Sequence, residues 1–116
     1  MYLVGYTLKE LLLELYRIVL YKSENNSVPF EDWFSKLSDT KTRAIIKARL
    51  NRIRIGNFGD VRAIGSGIYE IKINYGPGYR IYYGQHRKSI IVLICGGNKS
   101  TQSRDIEKQL NIGKSF

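Results

Sequence analysis

An α+β domain is what this sequence predicts: two N-terminal helices packed on a small, mostly antiparallel twisted sheet, closed by a short C-terminal helix. Three observations predict it. Apolar residues between positions 40 and 55 recur at helical spacing, and after residue 60 the apolar period drops to two. Between two strand-like runs stands Gly76-Pro77-Gly78, a strong hairpin signal. At 116 residues, 43% of them hydrophobic and 12% aromatic, the chain has material for one domain, residues 1–116, and one core.

The elements follow in order. Thr7 to Leu20 has helical composition, but Arg17 to Tyr21 suits a strand equally well, so a short extension (about residues 1–15) leads into a first strand near 16–22. Ser23 to Ser27 is a loop. Pro29 opens a short helix over Phe30 to Leu37, because proline fits a helix's first turn. Asp39 or Thr40 caps a second helix to about Ile55, with Ala44, Ile45, Ala48 and Ile53 as its apolar positions and Gly56 as a left-handed stop. Val61 to Ile64 is a short strand ending at the turn Gly65-Ser66-Gly67. Ile68 to Tyr75 and Tyr79 to Gly84 form the hairpin. Ser89 to Cys95, apolar at successive positions, is a strand buried on both faces, broken by Gly96-Gly97-Asn98. Ser100 or Thr101 caps a closing helix to about Leu110.

A three-residue Gly-Pro-Gly loop pairs Tyr75 with Tyr79, Ile73 with Ile81 and Ile71 with Tyr83. One face of the hairpin is then apolar and aromatic. The other holds Glu70, Lys72 and Asn74 beside Arg80 and Tyr82, on what this register makes an open sheet face. Arginine offers a rigid fork to phosphate and lysine a compact charge. Such a group suits metal-free RNA cleavage, in which the 2′-hydroxyl attacks the adjacent phosphate and the protein neutralises the pentacoordinate transition state. Spacing alone leaves the alternative that Lys72 and Arg80 are solvated strand residues.

Charge sharpens the partner class. The net charge is +9, yet residues 1–40 are slightly acidic, whereas residues 41–104 carry thirteen cations against Asp60 and Glu70. An excess of that size repels itself, and a polyanionic partner relieves it. Arg49, Arg52 and Arg54 on the basic second helix, with Arg62 beyond it, are the candidate RNA-backbone contacts. One cysteine, Cys95, and one histidine, His86, exclude an intramolecular disulfide and argue against a zinc site. No metal or other cofactor is expected. Asn98 stands where a phosphate loop of the Walker type needs glycine, so nucleotide hydrolysis is rejected, although Lys99 and backbone amides at a helix start suit an anion. Four charged residues interrupt the leucine-rich N-terminus, which matches neither a membrane span nor a secretory signal. The expectation is a cytoplasmic protein with no membrane partner.

Several long motifs in one order carry a family resemblance. They are Val28-Pro29-Phe30-Glu31-Asp32-Trp33, Gly56-Asn57-Phe58-Gly59-Asp60, Tyr69-Glu70-Ile71-Lys72-Ile73, Gly76-Pro77-Gly78-Tyr79-Arg80-Ile81-Tyr82 and Cys95-Gly96-Gly97-Asn98-Lys99-Ser100-Thr101-Gln102. Through these, from about Arg17 to Leu110, the chain resembles the HigB-like addiction-module killer proteins of the RelE/ParE toxin superfamily. The resemblance implies a RelE-like fold and the toxin of a type II toxin-antitoxin module. It also implies a cognate helix-turn-helix antitoxin as partner, and messenger RNA, cut on the ribosome, as target. By the same resemblance the catalytic arginine matches Arg80, its neighbouring-strand lysine Lys72 and the basic residue after the last strand Lys99. The C-terminal catalytic tyrosine of some members has no counterpart, since Gln102, Arg104 and Asp105 occupy that region. Tyr82, Glu70 and Asp105 are the candidates for its role. Two other readings stay open: a ParE-like poison of DNA gyrase, and a degenerate toxin kept for antitoxin or DNA binding.

Overall fold

The computed structural model describes residues 15–114. Five strands form one sheet: β1 (Arg17–Leu20), β2 (Val61–Gly65), β3 (Ile68–Ile73), β4 (Tyr79–His86) and β5 (Ile90–Asn98). Among the described residues three helices accompany it: α1 (Pro29–Ser35), α2 (Thr40–Arg54) and α3 (Gln102–Gly113), the last entered through a 3₁₀ turn at Lys99–Thr101. The strand order is β1-β5-β4-β3-β2, antiparallel throughout except that β1 runs parallel to β5. The α+β class is as expected, and the first strand falls where the sequence placed it. The helical stretch anticipated from Thr7 lies mostly outside the described residues.

Local chemistry sets the helices. Pro29 stands in the first turn of α1, with Glu31 and Asp32 facing its positive end. The Asp39 carboxylate caps α2, accepting from the Lys41 amide (3.2 Å) and the Thr42 hydroxyl (2.7 Å). Gly56, at φ +87°, stops that helix. Its buried face agrees with the sequence reading at Ile53 but otherwise differs: Thr42 and Ile46 are inside, while Ala44 and Ala48 are exposed. The larger side chains win the core because each buried isoleucine contributes about 2 kcal/mol, several times the yield of a methyl.

Helices α1 and α2 cover one face of the sheet. There Phe30, Ile46 and Ile53 meet Ile71, Ile73, Ile81, Tyr83, Ile91 and Leu93, with Trp33 and Phe34 packed beside them. Helix α3 covers the other face, where Ile106 and Ile112 pack on Ile68, Tyr82 and Ile94. The sheet is therefore central, with helices on both sides.

Three expectations are corrected. The hairpin loop is longer by two residues, so Ile73 pairs with Tyr79, Ile71 with Ile81, and Lys72 with Arg80. Tyr75 leaves the ladder because its amide turns back to the Ile73 carbonyl (3.0 Å) and its carbonyl accepts from Gly78 (3.0 Å). A slip of two preserves facing, so the apolar and polar sets stay as read. Next, Gly96 and Gly97 continue β5 rather than break it. A Cβ at Gly96 would stand 2.3 Å from the Trp33 ring, and one at Gly97 2.0 Å from Asp105, so glycine serves close packing on both faces. Last, the polar face is not open. Helix α3 lies over it, leaving Tyr82 0%, Glu70 2% and Arg80 5% exposed.

A candidate phosphate-binding site

The register places Lys72 and Arg80 directly across from each other on β3 and β4, with Gly97 of β5 on Arg80's far side. Lys99 arrives from the 3₁₀ turn. That turn is fixed by Asn98, whose side chain accepts from the amides of Ser100 (2.9 Å) and Thr101 (3.2 Å) while Thr101 Oγ1 accepts from the Asn98 amide (3.1 Å). One carbonyl gathers the pieces: Gly78 accepts from the Lys99 amide (2.9 Å) and from Arg80 Nη1 (3.0 Å). Gly78 must be glycine twice over. Its φ is +80°, and a Cβ would come within 2.8 Å of Arg80 Nη1.

Lys72, Arg80 and Lys99 line one open cleft of about 370 Å³, together with Asn74, Tyr75, Gly76, Pro77 and Gly78. No carboxylate lines it. Arg80 is the unusual member: nearly buried, it has an Nε with no hydrogen-bond partner and forms no ion pair among the described residues. A buried cation without a counter-ion is costly. An anion placed in the cleft would supply the missing charge.

The carboxylates nearby are committed elsewhere. Glu70 accepts from Gln102 Nε2 on both oxygens (3.2 and 3.0 Å) and from Arg62 Nε (2.9 Å). Burial alone would raise the Glu70 pKa, but the hydrogen bonds of Gln102 and Arg62 prevail and hold it below the usual range. Asp105 accepts from the Thr101 hydroxyl, over Gly97. Tyr82 is sealed under α3. Burial first, then the Glu70 charge, pushes its phenol well above the ordinary value, so Tyr82 is neutral and out of reach of a substrate. The sequence reading that put Tyr82 among the catalytic groups is corrected: its facing was right, but the face is covered.

The four arginines proposed for RNA contact separate. Arg49 turns inward, where its Nη2 donates to the carbonyls of Phe58 (2.8 Å) and Asp60 (3.3 Å), holding the loop after α2 against Gly59. Arg62 is ion-paired to Glu70. Arg52 and Arg54 are exposed in the last turn of α2, and Arg54 borders a second basic hollow with Arg17 and Lys47. His86 lies exposed at the end of β4, outside the cleft. The Cys95 thiol is pushed up in pKa by burial, an unreactive environment. Among the described residues no group of His, Cys, Asp or Glu could hold a metal ion, and no helix is long and apolar enough to cross a membrane. Sequence reasoning missed Tyr75 as a cleft residue, because the shorter loop had placed it in the ladder. It also missed Gln102 as the partner of Glu70, for which the sequence holds no signal.

No protein-family model matches the chain. It is similar to a Haemophilus influenzae protein described only as uncharacterised, at 42% identity over 82 residues, covering 71% of this chain and 83% of the relative.

Proposed function

The chain belongs to one family with that Haemophilus influenzae protein, and within it we propose a RelE/ParE-type toxin of the HigB-like branch. It acts as a metal-independent endoribonuclease on messenger RNA, on the ribosome, and is held in check by a helix-turn-helix antitoxin. The carrying observation is Arg80, nearly buried and without a counter-ion, lining a cleft with Lys72 and Lys99 and no carboxylate. Two helices ahead of the four-stranded antiparallel part, packed on one of its faces, suit the RelE-like arrangement.

In this reading the scissile phosphate sits in the cleft. Arg80 presents its fork to the non-bridging oxygens, and Lys72 and Lys99 neutralise the charge that builds as the 2′-oxygen, its proton lost to water, bonds to phosphorus. The bond to the 5′-oxygen breaks, leaving a 2′,3′-cyclic phosphate and a 5′-hydroxyl that takes its proton from water. The cations act from fixed positions, since the ladder, the Gly78 carbonyl and the Asn98 cap hold their backbones. Tyr82 and Glu70 serve as support beneath the site and do not reach the reacting atoms.

Inducing this chain without its antitoxin should cut transcripts at discrete positions, read by primer extension on total RNA, and stop translation before replication. Intact transcripts together with gyrase-dependent DNA breaks in a supercoiling assay would overturn the nuclease and promote a gyrase poison. Loss of neither function would leave a binding protein.

A further inference from the structure

Glu70 and Arg80 carry opposite charges on adjacent strands, and both are nearly buried on the face that α3 covers. Tyr82 faces Glu70 and Lys72 faces Arg80, so Glu70 and Arg80 are diagonal neighbours, a separation that long side chains can span. An unpaired buried charge is costly, and pairing the two would relieve it. They are turned apart instead. Arg80 Nη1 donates toward the loop, to the Gly78 carbonyl (3.0 Å). Glu70 is held the other way. Arg62, opposite it on the edge strand β2, donates from Nε to one carboxylate oxygen (2.9 Å). Gln102, at the start of α3, reaches both oxygens (3.2 and 3.0 Å). Arg62 is an exposed side chain that turns its charge inward to make this contact.

We propose that Arg62 and Gln102 are positioning residues that hold the Glu70 carboxylate off Arg80, so that the guanidinium keeps no internal counter-ion and can take a phosphate. They act through Glu70 and touch no substrate themselves. The inference rests on the reading above that Lys72, Arg80 and Lys99 hold an RNA phosphate, and it adds what keeps protein charge out of that site. Glu70 ties β2 and α3 to β3, but a carboxylate released from those bonds becomes a competitor. It lies on the same face, carries the sign of a phosphate and is tethered beside the guanidinium, so it competes as an intramolecular ligand. With either partner removed, Glu70 is a buried carboxylate short of donors, and a pair with Arg80 relieves both groups.

Inorganic phosphate is titrated into the full chain at one pH and followed by NMR at the Arg80 Nε–H signal. Arg62→Ala and Gln102→Met should each weaken phosphate binding about 10-fold, roughly what one charge-assisted hydrogen bond competing for Arg80 is worth. Gln102→Met changes no charge, so its loss cannot come from the general field of the protein. Before any phosphate is added, the Arg80 Nε–H signal should already be displaced in both variants as the carboxylate moves onto it. Adding Glu70→Gln to either variant should restore both the wild-type affinity and the wild-type signal, a rescue that a merely structural contact would not give. Melting curves verify that each variant is folded, and should Arg62→Ala not fold, Gln102→Met, which keeps the ion pair, carries the same comparison. Undiminished affinity in both variants, or a loss that Glu70→Gln leaves in place, overturns the role given to Arg62 and Gln102 while the phosphate reading stands. If wild type itself binds no phosphate at Arg80, that reading falls and this inference with it.

Discussion

Arg80 lies in a site that costs the fold stability. Its side chain is 5% exposed and its Nε has no partner, so the folded protein holds a poorly compensated charge. Replacing such a group by an apolar one of similar volume is often neutral or stabilising. Arg80→Met should therefore melt at the wild-type temperature or higher while losing about 100- to 1,000-fold in RNA cleavage, the usual loss for a transition-state charge partner. Arg80→Lys should recover part of the activity, since an ammonium lacks the fork. A methionine variant that melts much lower would mean Arg80 is a structural residue after all. Glu70 is the converse case. Its carboxyl is held below the unfolded value of 4.5 by Gln102 and Arg62 against the opposing effect of burial. The stability it contributes is fully present above that value and is lost as pH falls through the lower folded pKa. Melting curves from about pH 7 down to about pH 3 should fall more steeply for wild type than for Glu70→Gln, and the variant should be less stable at neutral pH by about 2–3 kcal/mol. Parallel curves would show that Glu70 is not the acid-sensitive group.

At the scale of elements, the junction between β5 and α3 decides where Lys99 sits. Asn98 ends the strand, caps the turn and is bonded in return by Thr101, so the two residues after Lys99, Ser100 and Thr101, are held by one side chain. Asn98→Ala should cost about 1 kcal/mol of stability, as lost caps do. Its effect on cleavage should be larger than stability explains, tenfold or more at temperatures where the variant is fully folded, because a displacement of about 1 Å at a reacting centre suffices for such a loss. Comparing single-turnover rates with the melting curve checks this, and a rate that merely tracks the folded fraction would refute it. The glycines just before it follow the same logic. Gly96 admits Trp33 from α1 on one face, and Gly97 admits Asp105 from α3 on the other, so adjacent positions seat two helices on opposite sides of one strand.

Across the whole molecule, the basic excess of residues 41–104 resolves into three kinds of cation. Some converge on the cleft, some are structural, and some are presented at the surface. Arg49 and Arg52 lie three apart on α2 yet belong to different kinds. Arg52→Ala should weaken ribosome or RNA binding and lower the slope of log affinity against log salt by about 0.7–0.9, one phosphate contact. Arg49→Ala should leave that slope alone and lower the melting temperature instead, since it removes the clamp on the loop ending at Asp60. Salt titration of both variants beside wild type distinguishes them. Equal slopes for all three would return Arg52 to a merely solvated role.

The sequence by itself determined the class of fold, the order of its elements and that Lys72 and Arg80 share one face, although not that they pair directly. Period, caps and turn residues are local, and a hairpin slip of two residues cannot change which side chains share a face. It also determined that Lys99 would follow the last strand at the start of a helix. Only the tertiary structure decided what covers that face. Whether Tyr82 is a reagent or a buried support depends on α3 folding back across the sheet, a contact between residues some twenty or more positions apart that no local pattern encodes. The same holds for Arg49, whose acceptors are backbone carbonyls of a loop. Every residue type has those carbonyls, so composition cannot announce which cation they will claim.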